Sequence, residues 1–165
     1  MARCALEQWN LEKVLFVPTG NPRYRRPALA SGEHRLAMLR LALAGEPRFA
    51  IDERELRAGA SGYTYDTVSE LKKDFPGESF VLLMGADQYA RLRTWHRWKE
   101  LSALAELAVV PRPRSEIPGT ARTIKMEPLN ISASDIRARA GRGEDISALV
   151  PAAVAEYVKR HALYR

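Results

Sequence analysis

Apolar residues in this chain fall into short dense runs, separated by stretches whose apolar positions recur at helical spacing. Leu15-Phe16-Val17 is a β-branched and aromatic run closed by Pro18 and Gly20, which predicts a buried strand entering a loop over residues 19–30. Ser31 is placed to cap a helix over residues 32–44, with Leu36, Leu39 and Leu43 on its apolar face and Gly45 as its stop. A short strand over 49–51 follows. Beyond a glycine turn at 59–62, Thr64 or Asp66 is expected to cap a helix that turns Val68 and Leu71 inward and ends before Pro76.

Phe80-Val81-Leu82-Leu83-Met84 is apolar without alternation, as a parallel strand covered on both faces should be, and it stops at Gly85. Helical segments are expected over 88–92 and 95–104, then a strand over 107–110 ended by Pro111 and Pro113. A weaker strand over 124–126, a helix over 132–140 with Gly141 past its end, and a last helix opened by Pro151 and running through Lys159 complete the chain. Strand and helix alternate throughout, which predicts an α/β fold built on a doubly wound parallel sheet. Repeats, low-complexity tracts and linkers are absent from the sequence, and its 165 residues suit a single domain, 1–165.

Composition narrows the function classes. No stretch approaches the roughly eighteen uncharged apolar residues of a membrane span, and Glu7, Gln8 and Asn10 interrupt any signal-peptide core, so a soluble cytoplasmic protein is expected. Cys4 is the one cysteine, which excludes an intrachain disulfide and a cysteine-based zinc site. The net charge of +6 suits an anionic partner, nucleotide or nucleic acid. Only the arginine-bearing runs at 23–26, 91–97 and 112–114 are locally one-signed, and solvated surface arginines account for them equally well.

In a doubly wound sheet, ligands sit beyond the carboxyl ends of the strands. Three segments there carry chemistry. In Asn130-Ile131-Ser132-Ala133-Ser134-Asp135-Ile136-Arg137, a Ser132-capped helix start offers free amides and the positive end of a dipole, and Ser134 and Arg137 add donors for a polyphosphate. An ordinary capped helix with an exposed arginine has the same pattern. Gly85-Ala86-Asp87 ends the most apolar strand: glycine admits a ligand to the backbone, and a carboxylate there can accept bonds from ribose hydroxyls, although Asp87 would equally serve as a helix N-cap before Gln88. In Thr94-Trp95-His96-Arg97-Trp98, an indole at the sheet mouth can stack on a planar ring, and both indoles could instead be packing residues. Tyr63-Thr64 adds a hydroxyl pair near a turn.

Taken in order, Gly85-Ala86-Asp87-Gln88-Tyr89, Thr94-Trp95-His96-Arg97-Trp98, Asn130-Ile131-Ser132-Ala133-Ser134-Asp135-Ile136-Arg137 and the ending Leu163-Tyr164-Arg165 resemble the bacterial nicotinate mononucleotide adenylyltransferases. The tryptophan segment sets them apart from the related pantetheine-phosphate enzymes. The resemblance spans residues 11–165 and implies the nucleotidyltransferase (Rossmann-like) fold. It implies that Ser132, Ser134, Arg137 and Gly85 contact ATP and that Asp87 contacts ribose. Trp95 would stack on the nicotinate ring, with Thr64 and the His96 backbone recognising its carboxylate. Asn21-Pro22 falls in the loop near the phosphates, but Arg23-Tyr24-Arg25-Arg26 departs from the family's Pro-His-Lys-like stretch, so Arg25 and Arg26 receive no role.

A second departure lies at the start. The family's first strand and its Gly-x-Phe-Asp-Pro-x-His-x-Gly-His loop have no counterpart here, since His34, His96 and His161 are the only histidines and none are so spaced. Residues 2–9 resemble the tail of the family's first helix. No catalytic residue is therefore assigned, and a form lacking that strand is expected to be poorly stable and nearly inactive. The reaction implied is attack of the nicotinate mononucleotide phosphate on the α-phosphorus of ATP, giving nicotinate adenine dinucleotide and pyrophosphate in NAD biosynthesis, with Mg²⁺ bound to ATP and no protein metal site. Partners would be ATP and nicotinate mononucleotide, with no nucleic acid or membrane. Two alternatives compete: a non-catalytic mononucleotide-binding protein of the same fold, and a basic nucleic-acid-binding domain with salt-dependent affinity.

Overall fold

The computed structural model describes residues 1–20, 28–111, 121–127 and 131–165. In chain order the first elements are α1 (Ala2–Gln8), β1 (Val14–Phe16), α2 (Gly32–Leu43), β2 (Phe49–Ile51) and α3 (Thr64–Asp74). They are followed by β3 (Val81–Gly85), α4 (Ala86–Tyr89), α5 (Trp98–Leu104), β4 (Glu106–Val110), β5 (Arg122–Thr123), α6 (Ala133–Gly141) and α7 (Ala152–Arg160). Single 3₁₀ turns stand at Arg54–Leu56 and Leu92–Thr94. The chain divides into two compact units, Met1–Val14 with Gly59–Pro128, and Leu15–Ala58 with Leu129–Arg165.

The first unit holds a sheet in the order β3-β4-β5, with both pairings parallel and Val81 opposite Glu106 through Gly85 opposite Val110. The apolar run of β3 is apolar on both faces, as its sequence requires. Leu82 and Met84 join a cluster with Val68, Leu92, Leu101 and Val109, while Val81 and Leu83 face Ala5, Ala108 and Ile124 on the other side. Among the described residues β3 has one ladder partner, β4, and of its side chains only that of Met84 is fully buried. The expected strand at 124–126 falls two residues earlier, as β5. Ile124 instead donates its N–H to the Val109 carbonyl at 3.0 Å and buries its side chain fully, and burial of that size stabilises by about 1.5–3 kcal/mol.

Three helix starts in this unit differ from expectation. Tyr63, not Thr64 or Asp66, is the N-cap of α3, and no side chain caps it. Gly85 is the N-cap of α4, which places Asp87 inside the first turn and leaves the segment at 88–92 to split into α4 and a 3₁₀ turn. The helix expected from residue 95 begins at Trp98, because Arg97 adopts the left-handed conformation, φ 52° and ψ 42°, and breaks the helical path.

The second unit pairs β1 with β2, where Phe16 meets Phe49 edge-on at 5.3 Å between ring centroids. Its core gathers Ala140, Ile146, Val154, Val158 and Leu163, with Met38 of α2 packed against it. Ser31 caps α2 as expected, accepting from the His34 N–H at 3.2 Å. Gly141 closes α6 from inside; the left-handed residue that follows is Gly143, φ 78°. Glycine is needed at 141 for a different reason, since a Cβ there would lie 2.5 Å from the Tyr164 carbonyl oxygen. Pro151 is the N-cap of α7, one position before the helix proper.

Candidate functional site

Two groups of predicted residues can be described, one in each unit. In the first unit Gly85 ends β3 with ordinary extended backbone, and no described atom lies within 4 Å of where a Cβ would sit. The fold among the described residues would accommodate a side chain there, and the glycine leaves the backbone more open than a side chain would. Asp87 follows in the first turn of α4 with its side chain exposed to solvent. Thr64 is the first residue of α3, half-buried, and its hydroxyl makes no hydrogen bond among the described residues.

The structure brings the Thr64 segment and the Trp95-His96 segment together. The Tyr63 ring stacks on the His96 imidazole with centroids 4.3 Å apart and planes 29° off parallel, and Tyr65 meets the same imidazole edge-on at 6.3 Å. The Arg97 guanidinium lies 4.0 Å over the Tyr65 ring and also pairs with Glu100 at 3.2 Å. Glu100 is held below the usual carboxylate range, first by a backbone hydrogen bond and then by Arg97. Trp95 and Trp98 are both half-buried against the β3 cluster. The packing role weighed for the indoles is thus present, and the part of Trp95 that the core does not cover remains open to stacking.

In the second unit the start of α6 is as the sequence requires. Ser132 caps it, its Oγ accepting from the Asp135 N–H at 3.5 Å, and the Ser132 and Ser134 hydroxyls lie 2.7 Å apart. Asp135 is engaged by Arg139 at 3.0 Å. Arg137 is half-buried and has no acidic partner among the described residues. Its charge acts instead on Tyr164, together with that of Arg35: burial raises the Tyr164 phenol above its usual value, and the two guanidiniums partly offset that rise. Arg35 donates to the carbonyls of Ala30 at 3.3 Å and Gly20 at 3.4 Å, tying together the described ends of the loop that follows β1.

A contrasting charge lies nearby in the same unit. Arg54, 6% exposed, grips Asp52 through Nε and Nη2 at 2.8 Å each, and this fork holds the Asp52 carboxyl below its usual value. Among the residues singled out in the sequence, Asn21, Pro22, Arg23, Tyr24, Arg25, Arg26, Asn130 and the run at 112–114 lie outside the described residues. Sequence reasoning passed over Tyr65, Arg35, Asp52 and Arg54. The only local signal was the density of aromatic and charged residues around the two glycine turns, which does not say what touches what.

The parallel sheet, its flanking helices and the open glycine at a strand end define an α/β protein. A cytidylyltransferase-like family model matches residues 1–139. The chain is similar to two solved structures of nicotinic acid mononucleotide adenylyltransferase from Plasmodium falciparum. One is complexed with NaAD (TM-score 0.78, 16% identity, 93% of this chain and 83% of that one); the other is complexed with APC (TM-score 0.76, 17% identity, 98% and 88%). At such identities these matches speak to the fold.

Curated relatives go further. Probable nicotinate-nucleotide adenylyltransferases from Bordetella petrii, Laribacter hongkongensis and Thermomicrobium roseum are 40%, 38% and 37% identical over the whole of this chain. The matches cover 90%, 86% and 83% of those relatives. The chain belongs to the nicotinate-nucleotide adenylyltransferase family, nucleotidyltransferases of NAD biosynthesis.

Proposed function

We propose that this chain binds nicotinate mononucleotide through Thr64, Trp95, His96 and Asp87, and ATP through Gly85, Asp87, Ser132, Ser134 and Arg137, for transfer of the adenylyl group between them. A phosphate oxygen of the mononucleotide would attack the α-phosphorus of ATP; the new P–O bond forms as the α–β phosphoanhydride breaks and pyrophosphate leaves. In such a transfer the protein's work is positioning and charge stabilisation. The observation that supports the reading is the start of α6, where the exposed Ser132 and Ser134 hydroxyls lie together at a helix N-terminus, with Arg137, which has no acidic partner among the described residues, following within the next turn.

The same donors suit a triphosphate carrying Mg²⁺, which would neutralise charge on the leaving pyrophosphate. In this reading the cation enters with the nucleotide. Residues 1–165 would act as one domain, in the cytoplasm, and no described helix is long and apolar enough to cross a membrane.

The Thr64 hydroxyl and the His96 N–H would donate to the nicotinate carboxylate. Charge-assisted bonds of that kind are roughly twice as strong as neutral ones. The chain should therefore bind nicotinate mononucleotide more tightly than nicotinamide mononucleotide by calorimetry. Equal affinities would remove the basis for assigning Thr64 and His96 to a carboxylate.

A further inference from the structure

The carboxylate donors assigned above sit on separate segments, and something must set the distance between them. Tyr63 adjoins one of them and stacks on the other. As the N-cap of α3 it immediately precedes Thr64, and its backbone is fixed on every side. Its N–H donates to Ser61 Oγ at 3.2 Å, and its carbonyl accepts from the Asp66 N–H at 3.1 Å, the Thr67 N–H at 3.2 Å and the Thr67 hydroxyl at 3.4 Å. From this post its ring lies flat against His96, 4.3 Å away and 29° off parallel.

The segment on the other side of that stack is one that needs holding. Arg97 stands in the left-handed region, φ 52°, a conformation that a residue with a Cβ keeps only when its surroundings impose it. Tyr65 and Glu100 hold the Arg97 side chain, the ring at 4.0 Å and the carboxylate at 3.2 Å, while Tyr63 holds His96. Two tyrosines flanking Thr64 thus brace two consecutive residues of the opposite segment by side-chain contact.

We propose that Tyr63 is a specificity-determining positioning residue, whose stack on His96 sets the spacing of the two carboxylate donors and so the preference for the acid over the amide. The proposal rests on the reading of Thr64 and His96 given above. An aromatic pair of this geometry is expected to be worth about three- to tenfold in affinity where a binding geometry depends on it.

The test is calorimetry of the full chain and its variants with nicotinate mononucleotide and with nicotinamide mononucleotide, alongside ATP binding and thermal unfolding. Tyr63→Ala should lose about tenfold in affinity for the acid with little change for the amide or for ATP, whereas Tyr63→Phe, which keeps the stack, should behave as wild type. His96→Ala removes the other half of the stack from an exposed position while leaving the backbone N–H in place. It should reproduce the loss even where Tyr63→Ala folds poorly. An unchanged acid-to-amide ratio in both alanine variants, or an equal loss for both ligands that tracks a lowered melting temperature, would overturn the proposal. If Trp95→Ala weakens the acid while Tyr63→Ala does not, the inference alone fails. If wild type shows no preference for the acid, the site assignment fails and takes the inference with it.

Discussion

The start of α3 with its facing Trp95–His96–Arg97 corner, and the start of α6 near Tyr164, are built on opposite principles. The first is assembled from rings: Tyr63 on His96, Tyr65 under Arg97, Trp95 and Trp98 on the core. Its shape is set by packing that salt hardly screens. The second is assembled from polar groups, two exposed hydroxyls bonded to each other and the half-buried Arg137, whose charge has no acidic partner among the described residues. A planar ring is recognised by surface and a polyphosphate by polar donors, and the function proposed above assigns one to each unit.

Within the second unit the contrast sharpens further, because Arg54 is buried and locked to Asp52 while Arg137 is left open. In the reading proposed above, the paired charge serves the fold, and the charge without an acidic partner among the described residues serves a ligand. Breaking the paired charge should have the largest effect. Asp52→Asn removes the carboxylate that both guanidinium donors of the fork engage, and we expect a loss of about 3 kcal/mol in stability by chemical denaturation at neutral pH. Because Arg54 holds the folded pKa of Asp52 below its ordinary 3.8, the pair's contribution is complete above that value. It is lost as pH falls through the lower folded value, so the gap between wild type and variant should close only in that acidic range. A gap independent of pH down to strong acid would mean that the pair is not what holds the turn after β2.

Opening the unpaired charge instead should spare stability and cost ligand. Arg137→Ala is expected to weaken ATP binding by about 1.5–3 kcal/mol, as for a hydrogen bond to a charged group, with a dependence on ionic strength that the variant loses. The smallest effect belongs to the ring-built region. Trp95→Ala should weaken nicotinate mononucleotide binding by about 1 kcal/mol, nearly insensitive to salt, because the lost term is stacking. A strongly salt-dependent Trp95 effect would break the contrast between the two regions.

Much of the framework is legible in residue order alone. Ser31 and Ser132 announce their helices because a short hydroxyl side chain before an apolar period has one energetically good use, and the continuous apolar run of β3 reports cover on both faces. What is illegible depends on contacts between residues distant in sequence. Nothing near Tyr63 indicates that its ring will meet His96, and nothing near Arg97 indicates a left-handed backbone; without that, the helix was expected to begin at Trp95 rather than Trp98. Gly141 illustrates the same limit: its place at a helix end suggested a stop signal, whereas the close approach of the Tyr164 carbonyl is what excludes a side chain.

The division of labour between the two regions is tested most directly by four titrations in one buffer, with Trp95→Ala and Arg137→Ala each titrated against nicotinate mononucleotide and against ATP and compared with wild type. The expected result is a crossed one. Trp95→Ala should lose affinity for the mononucleotide and keep it for ATP, and Arg137→Ala should do the reverse. If either variant weakened both ligands alike, or if Arg137→Ala left ATP affinity intact, the assignment of ring recognition to the first unit and triphosphate recognition to the second would be contradicted.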